Sequence, residues 1–214
     1  MADIFDEVEE DLRAERMKRL LARYGGLLLG VMLLVVAGVA GLQGWRWWEA
    51  RSAAQVAERY LAVNKAAAEP GADGKAAATE FAGIAAEAPA GYRTLARLRA
   101  AALMAEAGER AGALAQWEEV ARDGAAEGIY RDLANVMWGL HSLQEGDPAA
   151  IEARLAPLAE GAWKSSVQEI RALAAMRRGE TEEARRLLTA LVADATAPQG
   201  LRDRAGKLLA GLGS

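Results

Sequence analysis

Polar and apolar residues are distributed along this chain in two regimes. From Gly25 to Gly44, 20 residues pass without a charge, and Gln43 is their only polar side chain. At about 1.5 Å per residue, a helix of that length matches a hydrocarbon core of roughly 30 Å. Six leucines and four valines lie in it. Each is worth about −0.3 to −0.6 kcal/mol at a helix centre, so together they favour insertion by several kcal/mol. Tyr24 stands at one edge and Trp45, Trp47 and Trp48 at the other, where amphipathic rings suit the headgroup level. The pattern predicts a tail over 1–23, a transmembrane helix over 24–48 and a soluble domain over 49–214.

Two other accounts of the apolar run fit less well. A cleaved signal peptide has a short basic start and an apolar stretch of roughly 7–15 residues. Here the preceding 23 residues hold seven acidic and five basic side chains, and the run is longer. A soluble core helix is rarely apolar on all faces for such a length.

After residue 49 the pattern changes to helical stretches separated by short turns. Pro70-Gly71, Pro89, Gly108, Gly124, Gly146 and Gly179 punctuate them, as residues that stop helices should. No stretch alternates with period two, so the domain reads as all-α. One helix is expected over Glu49–Glu69, its partner over Gly74–Glu87, and a terminal capping helix over Leu201–Leu212. Three turn glycines, Gly108, Gly146 and Gly179, organise a repeat. Behind them at fixed offsets come Ala113, Trp117 and Val120; Ile151, Leu155 and Leu158; Ala184, Leu188 and Leu191. Seven residues ahead stand Ala101, Gly139 and Ala172, small enough for two helices to cross closely. This is the helix–turn–helix pattern of tetratricopeptide repeats, whose period is about 34. Arg171 departs from it, at a site that usually carries leucine. The fold class is therefore all-α: a single N-terminal transmembrane helix followed by a tetratricopeptide-repeat-like α-solenoid.

In this register the concave face is apolar. It presents Leu95, Leu98 and Ala102, then Leu133, Val136, Leu140 and Leu143, then Leu173 and Met176. Two readings fit: a groove for an apolar peptide or partner helix, or a face covered by the chain's own first or last helix. A register off by one would also explain it.

Within the apolar run, Gly26, Gly30, Ala37, Ala40 and Gly44 fall on one stripe, and the first two make a G-x-x-x-G pair that lets backbones approach. The stripe reads either as a docking face for another membrane helix or as the ordinary glycine content of such helices. Arg13, Arg16, Lys18, Arg19 and Arg23 precede the run, against Arg46, Arg51 and Arg59 after it. That bias places the N-terminus in the cytoplasm and, in a bacterium, the C-terminal domain in the periplasm. Ile4, Val8 and Leu12, with Phe5 beside them, make an amphipathic helix whose polar face is acidic. Anionic lipid would repel it, which leaves a protein partner or a solvated lead-in.

Composition removes most other functions. The net charge of −4, with no basic block, argues against nucleic acid. The absence of cysteine excludes disulfides, thiolate catalysis and cysteine zinc sites. His141 is the only histidine, and its sequence neighbour Ser142 points elsewhere on a helix. No G-x-S-x-G elbow, H-E-x-x-H pair or phosphate-cradling loop occurs. No enzyme activity and no cofactor is expected, and His141 reads as structural or exposed.

Several short motifs carry a family resemblance. They are W-R-W-W at Trp45–Trp48, A-R-S-A-A at Ala50–Ala54, the helix around Tyr60, the helix with Phe81, and G-Y-x-x-L-A at Gly91–Ala96. With the acidic tail ahead of a glycine-rich span, they resemble the YfgM-like family, ancillary subunits of the bacterial Sec translocon. The resemblance implies a single-pass inner-membrane protein with a periplasmic repeat domain. Its implied partners are Sec translocon subunits, a membrane-anchored periplasmic chaperone and nascent polypeptides, beside the lipid bilayer itself. Its implied role is to help hand translocated chains to periplasmic chaperones. The alternatives are a scaffold in another envelope assembly and a regulator acting through its cytosolic tail.

Overall fold

In the computed structural model the backbone is described for residues 3–213 and the side chains for 18 and 22–213. The side chains of the amphipathic tail, Ile4, Phe5, Val8 and Leu12, lie outside the described residues. Contacts divide the chain into two units, which meet between Ala54 and Gln55.

The first unit is helix. α1 runs Asp3–Ala67 and contains the apolar run. From Ala22 onward it is long and apolar enough to cross a membrane, with a mean hydropathy of 2.4 and none of that window buried. A core helix would bury it. Arg–aromatic pairs mark the edges: Arg23 lies 5.8 Å from the Tyr24 ring centre and Arg51 lies 5.3 Å from that of Trp47. The Trp45 and Trp48 rings meet at a tilt of 50°, with centres 5.7 Å apart.

The second unit continues from Gln55 through eight further helices: α2 (Gly74–Glu87), α3 (Ala90–Glu106), α4 (Arg110–Arg122), α5 (Gly128–Ser142), α6 (Pro148–Leu155), α7 (Lys164–Arg177), α8 (Thr181–Ala193) and α9 (Gln199–Gly211). No strand occurs among the described residues. Each helix from α2 on packs against the next, and α3, α5, α7 and α9 also touch in sequence. They form an inner row, with α4, α6 and α8 outside it. This is the nearest-neighbour stacking of a helical-repeat array.

The turns explain why the array repeats. Gly108 and Gly179 take φ of 78° and 74°, a left-handed conformation that a side chain disfavours. Each closes its helix in a Schellman motif. Glu109 N donates to Met104 O at 2.7 Å, and Glu180 N donates to Ala175 O at 2.9 Å. Gly146 is needed for another reason. A Cβ there would sit 2.9 Å from the Ser142 carbonyl oxygen. The returns from outer to inner helix share a different device, a buried alanine just before the next helix: Ala88, Ala126 and Ala197. Asp123 and Asp194 hold two of these returns, accepting from Ala125 N at 2.9 Å and Thr196 N at 2.8 Å.

Burial follows the ladder. Ala113, Trp117, Val120, Ile151, Leu155, Ala184, Leu188 and Leu191 are each at most 1% exposed. A fully buried leucine contributes about 1.5–3 kcal/mol relative to exposure, so the outer helices are held mainly by this stripe. The small inner positions let them come close: Ala101 and Ala172 are fully buried, and a Cβ on Gly139 would lie 2.7 Å from Leu155 Cδ1. At the start of the unit, Tyr60 of α1 meets Phe81 of α2 edge-on at 5.1 Å and Tyr92 of α3 at 6.0 Å. The three aromatic motifs noted in the sequence thus build one core.

Candidate functional site

The inner row leaves an apolar trough across α5, α7 and α9. One hollow, of about 520 Å³, lies between the C-terminal ends of α5 and α7 and is lined by Leu140, Leu143, Leu173 and Met176, with His141, Gln144 and Arg177 at its edges. A second, of about 610 Å³, is lined by Leu140, Leu173 and Leu208, with Glu169, Arg204 and Lys207. Leu140 and Leu173 belong to both, so the two hollows adjoin.

Helical spacing puts these side chains there. Leu140 and Leu143 occupy the last turn of α5 and its end, while Leu173 and Met176 lie three apart on α7. Four of the eight expected groove residues therefore meet in one hollow. Val136 is 5% exposed and belongs to the core beneath, packed with Ile151, Leu155, Val167 and Ile170. Leu98 packs on the α3–α4–α5 core. Leu95 and Leu133 are half-buried and line neither hollow. The stripe of Gly26, Gly30, Ala37, Ala40 and Gly44 is exposed throughout.

The polar wall was not foreseen from sequence. Glu169, 6% exposed, takes both donors of Arg204: Nε to Oε1 at 2.8 Å and Nη2 to Oε2 at 3.0 Å. Such a bidentate pair is the form in which a carboxylate is buried most safely. Arg177 donates to the carbonyl oxygens of Leu143 and Gly146. It thereby satisfies acceptors at the C-terminal end of α5, where a cation also suits the helix dipole. A signal for these pairs existed. Glu169 and Arg204 are 35 residues apart, Leu143 and Arg177 34, and the ion-paired Arg110 and Glu145 35. Each pair is one repeat period apart.

His141 packs at a tilt against Trp117, with ring centres 4.7 Å apart. Burial, and then the nearby Arg110 charge, hold its imidazole below its ordinary pKa. Among the described residues, no group of three or more His, Cys, Asp or Glu is placed to hold a metal ion.

Comparison with known proteins fits this geometry. The chain matches the tetratricopeptide repeat-like domain family over residues 18–203, and it belongs to that family. The match takes in the apolar run as well as the repeats. Domains of this kind are typically non-catalytic modules that bind other proteins on a broad, curved surface. No curated protein and no solved structure matches the chain.

Proposed function

We propose that this protein is a non-enzymatic adaptor anchored in the bacterial inner membrane beside the Sec translocon. In this reading the N-terminus is cytoplasmic and the repeat domain is periplasmic. The repeat domain passes translocated polypeptides toward a membrane-anchored periplasmic chaperone. The observation that supports it most is the apolar trough on the inner row, carried by a chain that also has a membrane-length apolar helix. A concave apolar floor of this kind, edged by a few polar side chains, is the form in which helical repeats seat a polypeptide segment. The resemblance of Trp45–Trp48 and Gly91–Ala96 to the YfgM-like family supplies the translocon.

Photocrosslinking in intact membranes, with the reactive group at positions 30, 37 and 140, tests the reading. Crosslinks from 30 or 37 to channel subunits, and from 140 to a chaperone or nascent chain, are expected. Crosslinks only between copies of the protein, or only to unrelated envelope proteins, would remove the translocon and leave the repeat fold standing. A second test targets the stripe. Leucine at positions 26 and 30 should reduce co-purification of the channel, because the close backbone approach is lost.

A further inference from the structure

The trough differs in charge from the chain that carries it. The whole protein is acidic, with a net charge of −4. On the trough walls, however, three cations, Arg177, Arg204 and Lys207, face one carboxylate, Glu169. That carboxylate is fully engaged, since both its oxygens accept from Arg204. Arg177 is bound to the carbonyl oxygens of Leu143 and Gly146, which orient the guanidinium without neutralising it. Lys207 is exposed and, among the described residues, forms no ion pair. Asp203 lies one turn earlier on α9 and shares an adjoining polar hollow with it, but no ion pair joins the two.

We propose that the trough takes an acidic amphipathic segment of a protein partner. Apolar side chains of that segment seat against Leu140 and Leu173, and an aspartate or glutamate beside them meets Lys207 and the free edges of the two arginines. This rests on the adaptor reading and narrows it to the partner's chemistry.

The argument is one of complementarity. An apolar floor by itself selects any hydrophobic segment. Positive charge at the rim adds discrimination, because it attracts a segment of opposite charge and repels one of like charge, most strongly at low salt. A basic segment would bring like charge against Lys207 and Arg177 and is rejected. The same rule disfavours a second copy docking trough to trough, since both faces carry the same sign. The hollows also run on across three helices. That open, elongated form suits a length of polypeptide.

The test uses the full-length protein in nanodiscs of zwitterionic phosphatidylcholine, with empty nanodiscs as baseline. Two short fluorescent peptides share leucines at helical spacing; one carries glutamate at its remaining positions and the other lysine. Fluorescence anisotropy should show the glutamate peptide binding about tenfold more tightly at low salt, with the gap closing as salt rises. Lys207→Glu, a surface change that leaves the core untouched, should shrink or reverse the preference. Equal affinities, a preference for the lysine peptide, or a preference unchanged in K207E would overturn the proposal. So would capture of monomeric short-chain phosphatidylglycerol, lost in K207E, with no peptide binding. Crosslinks from position 140 judge the adaptor reading separately. A partner captured there without any acidic preference removes only the charge selectivity. An acidic preference without a captured translocon or chaperone partner upholds the trough chemistry and removes the translocon.

Discussion

Glu169 of α7 and Arg204 of α9 lie side by side across one repeat period, joined by two nearly parallel hydrogen bonds of 2.8 and 3.0 Å. The carboxylate is buried while the guanidinium keeps one side toward solvent. Removing one partner is therefore not symmetrical with removing both. Arg204→Ala leaves a buried carboxylate short of donors and should cost about 1–3 kcal/mol. The double change E169L/R204M removes the charge together with its partner and should cost less than R204A alone. Thermal unfolding followed by circular dichroism ranks them, and R204A melting with the native protein would show the pair to be dispensable.

Glycine-to-alanine changes should act with opposite signs at two helical sites. At Gly139 the new methyl meets the buried Leu155, with Cβ 2.7 Å from Cδ1, and overpacking of this kind costs about 1–3 kcal/mol. At Gly206, inside α9, a Cβ meets nothing within 4 Å, and alanine gains about 1 kcal/mol through helix propensity. Melting temperatures moving the same way in both variants would contradict the close crossing of α5 and α6.

Trp117 fills the space between α4 and α5 and is 1% exposed. Its replacement by alanine should cost about 3–5 kcal/mol through the cavity left behind. The same change strips one wall from His141, so its imidazole should titrate closer to the ordinary value. Histidine proton resonances followed through a pH series report this directly, and an unmoved midpoint would mean that Trp117 does not shield the ring.

Acid should weaken the fold through His141. The native imidazole is held below its ordinary value of 6.5, first by burial and then by Arg110. As pH falls below about 6.5, the unfolded chain takes up a proton that the folded chain still refuses. Stability is thus full above that value and declines as pH drops toward the depressed native one. Because His141 is the only histidine, His141→Gln should flatten the melting temperature between pH 6.5 and the onset of carboxylate titration. An unchanged slope in H141Q would assign the acid sensitivity elsewhere.

Much of the fold was readable in the sequence because its signals are local. The predicted helix over Gly74–Glu87 coincides with α2 at both ends, since Asp73 caps its start through Lys75 N at 2.9 Å and Pro89 lies just past its end. The ladder behind each turn glycine is buried as its spacing required, except at Leu158, which follows the end of α6 in a tighter turn and stays half-buried. The concave face was harder. Spacing identifies which side of a helix faces inward but not how deep each position sits, so Val136 was grouped with Leu140 although it lies in the core. The charged wall escaped for a different reason. Glu169 and Arg204 look like ordinary surface charges until the repeat period is applied to polar residues as well as apolar ones. The three turn glycines likewise looked equivalent, yet Gly146 is fixed by crowding at Ser142 rather than by a left-handed backbone.

From α2 to α9, the main packing reaches the next helix or the next but one. No contact in the array must wait for a distant segment, so the loops that have to close during folding are short and their entropic cost is small. The domain can therefore acquire its structure in the order in which it is synthesised. Each new helix arrives at a surface that its predecessors have already completed, and few apolar stripes are left bare in the interval.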